Sequence, residues 1–157
     1  MKLLLDTTYL LPAIGISIRE LPSDTLIKLL SEGHQITMSD ISIFELSATG
    51  AKHITAGALS AERVTKGIRA IVYDERIEIA PISDSKLLLT AFKLRNMLND
   101  FIDCLILSTA LNHCEALITE DNTIQSLKKN KEFNKLLAAA SPKFQVQKLG
   151  DVLQTKH

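Results

Sequence analysis

Apolar positions in this chain follow two alternating rhythms, short unbroken runs and longer stretches that recur every third or fourth residue. Leu3, Leu4 and Leu5 precede Asp6-Thr7-Thr8, which predicts a short buried strand ending at a strand-to-helix turn. Residues 9–16 continue as a short apolar helix with Pro12 in its first turn. Ser23 caps a second helix through Leu30, which Gly33 stops. Residues 35–38 form the second strand. Ser39 or Asp40 then caps a helix with an apolar stripe of Ile41, Phe44, Ala48 and Ala51, and Gly50 and Gly57 interrupt its continuation toward Leu59. A fresh helix starts at Ser60 and runs through Tyr73 with Val64, Ile68, Ile71 and Val72 inward. Residues 77–80 alternate as a third strand, ended by Pro81.

Ser83 caps the next helix, which carries Leu87, Leu88, Ala91, Phe92 and Leu94 and reaches about Leu98, where Asn99-Asp100 breaks it. Residues 102–113 follow as a helix that is apolar nearly all round and therefore buried. A fourth strand at 116–119, helical pieces through Ala140, a last strand at 144–147 and a short tail helix complete the chain. Strands alternating with helices imply βαβ units, hence a three-layer α/β/α fold around a mainly parallel sheet of about five strands. The 157 residues suit one domain spanning 1–157 and suffice for a core without disulfide staples.

This topology locates four acids. Helices run antiparallel to the strands of such a sheet, so a helix N-terminus lies at the carboxyl edge of the sheet. Asp6 and Asp121 follow strands directly, and Glu45 and Asp103 sit in the first turns of helices. All four fall at the edge where open α/β sheets bind ligands. Carboxylates held together repel unless a cation lies between them. All-oxygen donors suit Mg²⁺ or Mn²⁺, ions that activate water and stabilise in-line displacement at phosphorus. The expected chemistry is phosphodiester hydrolysis. Each acid also has a plainer reading: Asp6 and Asp121 as turn formers or caps, Asp103 as a partner of its helix dipole, and Glu45 as a solvated side chain. Glu120, beside Asp121, is an alternative fourth ligand.

Charge adjusts this picture. Lys and Arg number 18 and so do Asp and Glu, which leaves no overall basic field for nucleic acid. Lys52, Arg63, Lys66 and Arg69, and then Lys86, Lys93 and Arg95, are local clusters that read first as solvated helix faces. Cys104 and Cys114 form no metal or disulfide pattern and read as reduced packing residues. His34, His53, His113 and His157 lack metal-ligand spacing. Asp6 interrupts the apolar start too early for a signal peptide, and no apolar run reaches the roughly eighteen residues of a membrane span. The chain is therefore expected to be cytoplasmic, with no membrane partner.

Four segments carry a family resemblance: LLLDTTYLL at 3–11, ISIFEL at 41–46, DCLILSTA at 103–110 and LITEDN at 117–122. In this order and spacing they resemble the four motifs of the PIN domain, and the likeness extends over essentially the whole chain. It looks most like the single-domain prokaryotic members, among them the VapC toxins. The resemblance implies that Asp6, Glu45, Asp103 and Asp121 are the metal-holding and catalytic acids of a Mg²⁺- or Mn²⁺-dependent ribonuclease, with Thr8 as a supporting small polar residue. It further implies RNA as substrate, an antitoxin protein as partner and a homodimer, which the surplus of Leu, Ile and Ala on the middle helices also suggests. Thr123-Ile124 stands where the family often has an aromatic after the fourth acid, which keeps both Glu120 and Asp121 open. Two rival functions are a non-catalytic PIN-like metal- or RNA-binding module and a phosphatase with Asp6 as nucleophile. The second is weaker, because Thr8 stands where its general acid is expected.

Overall fold

The computed structural model of the chain describes residues 1–154. At its centre is β1 (Lys2–Leu5), whose Leu3, Leu4 and Leu5 have no exposed surface, as a strand covered on both faces requires. Its neighbours are β2 (Gln35–Ser39) and β4 (Ala116–Ile118), with β3 (Ile77–Ala80) and β5 (Gln145–Gln147) at the edges. The order is β3-β2-β1-β4-β5, and every pairing is parallel. The expected α/β/α layering around five strands is the one found.

Alternation along β1 divides the core in two. Leu4 faces one side with Leu117 and Val146, beneath α4 (Ser85–Leu94), α5 (Phe101–His113) and α7 (Lys131–Ala140). Leu3 and Leu5 face the other with Ile36, Met38 and Ile118. That side is covered by a 3₁₀ helix (Thr7–Ile14), α1 (Thr25–Ser31), α2 (Ile41–Thr55), α3 (Ala61–Val72) and α8 (Leu149–Gln154). Helix α5 is buried continuously from Cys104 to Leu111, so its all-round apolar pattern is the pattern of an enclosed helix. Chain order places β2 and β4 on opposite sides of β1, and this reversal opens a crevice at the carboxyl ends of β1 and β4.

Several sequence expectations need correction. The buried stripe of α2 is Ser42, Leu46 and Gly50. Phe44 is 61% exposed, and Ala48 and Ala51 are exposed with it. The predicted stripe followed apolar residue type, whereas the face turned toward the core, at a spacing of four, carries Leu46 between two residues without apolar side chains. Gly50 does not interrupt α2, because a Cβ there would lie 2.5 Å from Val64 Cγ1, so the glycine is what lets α3 approach. The segment after β1 is a 3₁₀ helix from Thr7, closed by Gly15 at a positive φ of 95°. Asp84, not Ser83, caps α4 by accepting from the Lys86 and Leu87 amides. That helix ends at Leu94 instead of Leu98, and its Phe92 is 56% exposed. Among the described residues no helix is long and apolar enough to cross a membrane. His157 lies outside the described residues.

Candidate functional site

Each predicted acid reaches the crevice from a different element. Asp6 leaves β1 at its carboxyl end, where its amide still bonds to the Ile118 carbonyl at 3.1 Å and so keeps the turn in register with β4. Its Oδ2 accepts from the Thr119 hydroxyl at 2.7 Å. The same hydroxyl oxygen accepts from the Asp121 amide at 3.1 Å, so one threonine at the end of β4 fixes both turns. Asp121 caps α6 (Asn122–Ser126), its Oδ1 accepting from the Ile124 amide at 2.9 Å.

Glu45 projects from the first turns of α2. Thr7 Oγ1 lies 2.5 Å from Glu45 Oε1 and 2.9 Å from Ser42 Oγ. A hydroxyl has one proton, and the carboxylate is the acceptor that most needs it; Thr7 therefore donates to Glu45 and accepts from Ser42. Asp103 sits in the first turn of α5, half-buried, with its side chain in no hydrogen bond among the described residues.

Electrostatics shows that the acids converge. Burial first, then the charges of Asp100, Asp121, Asp6 and Glu45 in that order, push the Asp103 carboxyl from 3.8 up to about 7. Burial also raises Asp6, opposed by the Thr119 hydroxyl and the Thr7 and Thr8 amides and reinforced by Asp121. Glu45 is raised by burial, held back by Thr7, and raised further by Asp6 and Asp100. None of the ion pairs among the described residues involves these acids. Nor do any three His, Cys, Asp or Glu side chains among the described residues draw in to ligand-cage distances, as expected of like charges facing one another.

The donor set passes the chemical test for a hard divalent ion. It offers carboxylate oxygens from four separate elements, carries excess negative charge that no side-chain cation among the described residues balances, and contains no sulfur or imidazole. Glu120 points elsewhere. Its Oε1 accepts from the Tyr9 hydroxyl at 2.8 Å and the Leu149 amide at 3.1 Å, which ties the β4–α6 turn to the 3₁₀ helix and to α8. Burial, and then that bond to Glu120, raise the Tyr9 phenol. Of the two adjacent acids, only Asp121 adds its charge to Asp6 and Asp103.

Three features escaped the sequence reading. Asp100 is a fifth acid of the cluster: it caps α5 by accepting from the Ile102 amide at 2.8 Å and the Asp103 amide at 3.3 Å, and its charge raises both Asp103 and Glu45. Its position just ahead of an apolar helix was the available signal. The hydroxyl support comes from Thr7 and Thr119, while Thr8 contributes its main-chain amide to Asp6. A threonine closing a buried strand marked Thr119. Nothing in the sequence favoured Thr7 over Thr8.

The sequence profile of the PIN domain family matches residues 3–130, a span that includes all four acids. The chain belongs to the PIN domain family. PIN domains are generally nucleases. Among solved structures, a chain from the crystal structure of VapBC2 from Rickettsia felis, bound to a DNA fragment from their promoter, is similar with a TM-score of 0.59. The two chains are 19% identical, and the match covers 94% of this chain and 98% of that one. At this identity the likeness establishes a shared fold. No curated protein matches the chain.

Proposed function

We propose that this PIN domain is a Mg²⁺- or Mn²⁺-dependent endoribonuclease, acting as the toxin of a toxin–antitoxin pair. The observation that carries the catalytic reading is the convergence of Asp6, Glu45, Asp103 and Asp121, from four separate elements, on one crevice where the other three add their charge to Asp103. When bound there, a divalent ion would activate water and stabilise the negative charge that builds on phosphoryl oxygens. The chain's own residues prepare the site. Thr119 holds Asp6 and the turn bearing Asp121, Thr7 holds one oxygen of Glu45, and the Ile124 amide holds one oxygen of Asp121. Among the described residues the second oxygens of Glu45 and Asp121, and both oxygens of Asp103, accept no hydrogen bond and can turn into the shared space. Fixing the ligands in advance lowers the reorganisation needed as charge develops.

The toxin reading draws on the similar fold found in a two-component VapBC2 complex. It also draws on exposed apolar side chains: Phe44 next to Glu45, Phe101 two residues before Asp103 with its ring stacked on that of Phe92 at 5.8 Å, and Leu89 on the turn of α4 before Phe92. Monomeric proteins seldom leave such groups together in water. An antitoxin segment or a second copy in a homodimer would cover them.

The test is cleavage of end-labelled RNA and DNA oligonucleotides by freshly purified protein, with EDTA, Mg²⁺ or Mn²⁺. The expected result is RNA cleavage that requires the ion and falls at least about a hundredfold in Asp103→Asn, while the circular dichroism spectrum is kept. Ion-independent cleavage, or full activity in the variant, would overturn the proposal. Ion binding by calorimetry without any turnover would instead identify the non-catalytic module.

A further inference from the structure

A cavity of 580 Å³ opens beside the turns that carry Asp6 and Asp121, with walls that include Thr8, Arg19, Pro22, Asn122, Lys148 and Leu149. Its position follows from the turns already described. Thr8 lies two residues past Asp6, Asn122 directly follows Asp121, and the Thr119 hydroxyl binds both turns together. The cavity thus shares a wall with the two turns that carry Asp6 and Asp121. We propose that it seats the nucleotide next to the scissile phosphate, with Arg19 and Lys148 holding that nucleotide's own phosphate. The inference rests on the ribonuclease reading and names a substrate subsite for it.

Size, lining and charge support this occupant. The volume falls within the roughly 300–1,000 Å³ of sites that enclose small ligands. Ile18, Pro22 and Leu153 give apolar surface for a ribose or base, and Thr8 and Asn122 give polar groups at the end nearest the acids. Arg19 and Lys148 enter no ion pair among the described residues, although a cluster of carboxylates lies next door. A guanidinium is the side chain best shaped for bidentate contact with phosphate. The chain as a whole is neutral, so a polyanion needs such local cations to approach a site built of acids.

The wall carrying Arg19 is held in place. The Ile16 amide donates to the Leu11 carbonyl at 3.2 Å, the Leu21 amide to the Ile18 carbonyl at 3.2 Å, and the Thr25 hydroxyl to the Pro22 carbonyl at 2.8 Å. Two acids also line the cavity. Glu120 is engaged by Tyr9 and Leu149, which leaves Glu20 as the acid that opposes a phosphate. This opposition supplies a control of the opposite sign.

The experiment uses an RNA oligonucleotide that the protein cuts at one bond, prepared with a single neutral methylphosphonate at each position around that bond. In the unaltered protein, one neighbouring replacement lowers kcat/KM about tenfold. The double variant Arg19→Ala, Lys148→Ala loses about the same factor on unmodified RNA and no longer responds to that replacement. Glu20→Gln raises kcat/KM several-fold. Overturning results are full activity of the double variant on unmodified RNA, or a loss that leaves its methylphosphonate profile unchanged. If the unaltered protein cuts no RNA with either ion, the ribonuclease reading fails on its own. The cavity is then decided by binding of the same oligonucleotide to Asp103→Asn protein. The two cavity substitutions should weaken that binding about tenfold and lower its salt dependence. Equal binding, or none before the cavity is altered, overturns the subsite.

Discussion

Replacing Asp103 by asparagine should make the metal-free protein more stable at pH 8 while removing its activity. The Asp103 carboxyl titrates near 7 because burial and the charges of Asp100, Asp121, Asp6 and Glu45 disfavour its ionised form. An unfolded chain leaves it near 3.9, so between about pH 4 and pH 7 the folded state binds more protons than the unfolded state. Folding stability contributed by this group therefore falls as pH rises through that window, and the penalty is complete above 7. A change from 3.8 to about 7 is equivalent to about 4 kcal/mol at 1.36 kcal/mol per pH unit. Half-exposure to water screens the charges and brings this to about 1–2 kcal/mol. Asparagine keeps the shape, carries no charge and sacrifices no side-chain hydrogen bond, since the Asp103 side chain makes none among the described residues. Urea denaturation in EDTA should show the variant about 1–2 kcal/mol more stable at pH 8 and equal to the parent near pH 4, or roughly 4 °C higher in Tm at the upper pH. Adding Mg²⁺ should stabilise the parent more than the variant, because the ion binds only the folded site and loses a ligand in the variant. A variant less stable than the parent at pH 8 without metal would refute the convergence of acids on Asp103.

Thr7→Val removes the hydroxyl that binds Glu45 and Ser42, and should cost about 1 kcal/mol of stability. Because Thr7 lowers the Glu45 pKa, the acidic limb of the cleavage pH profile should move to higher pH in the variant, and an unmoved limb would argue against that bond. Gly67→Ala should cost about 3 kcal/mol in urea denaturation, since the new Cβ would lie 2.2 Å from the Ala13 carbonyl oxygen and drive α3 off the 3₁₀ helix.

How much of this was legible beforehand depended on the range of the interaction involved. The sheet was readable because each strand is a local run of apolar residues, and the connections between strands restrict their order. The convergence of Asp6, Glu45, Asp103 and Asp121 followed from topology alone, because every strand end and helix start in such a sheet shares one edge. Local periodicity was less reliable where packing partners decide. Phe44 was placed in the buried stripe by its chemistry but is exposed, while Ser42, outside that stripe, and Gly50, read as a helix break, are buried. The choice between Thr7 and Thr8 depends on the direction of two side chains in a 3₁₀ turn, which no pattern of residue types encodes. Glu120 and Asp121 were inseparable for the same reason, until the bonds to Tyr9 and Leu149 showed that one of them has a structural task.

The acids differ in how their cost to folding is offset, and this explains why the cluster is tolerated. Asp100 and Asp121 cap α5 and α6, so each satisfies amides that would otherwise lack a partner and stabilises its helix whatever else it does. Asp6 receives main-chain amides and the Thr119 hydroxyl, and Glu45 receives Thr7. Asp103 alone has no such return among the described residues, yet it faces all the others and sits at the head of the most deeply buried helix. A stability criterion would remove Asp103 first, and a cation held between the acids would benefit from it most. The residue whose presence folding explains least is the one on which the catalytic proposal depends most, and that is why the stability and activity of a single variant, Asp103→Asn, are expected to move in opposite directions.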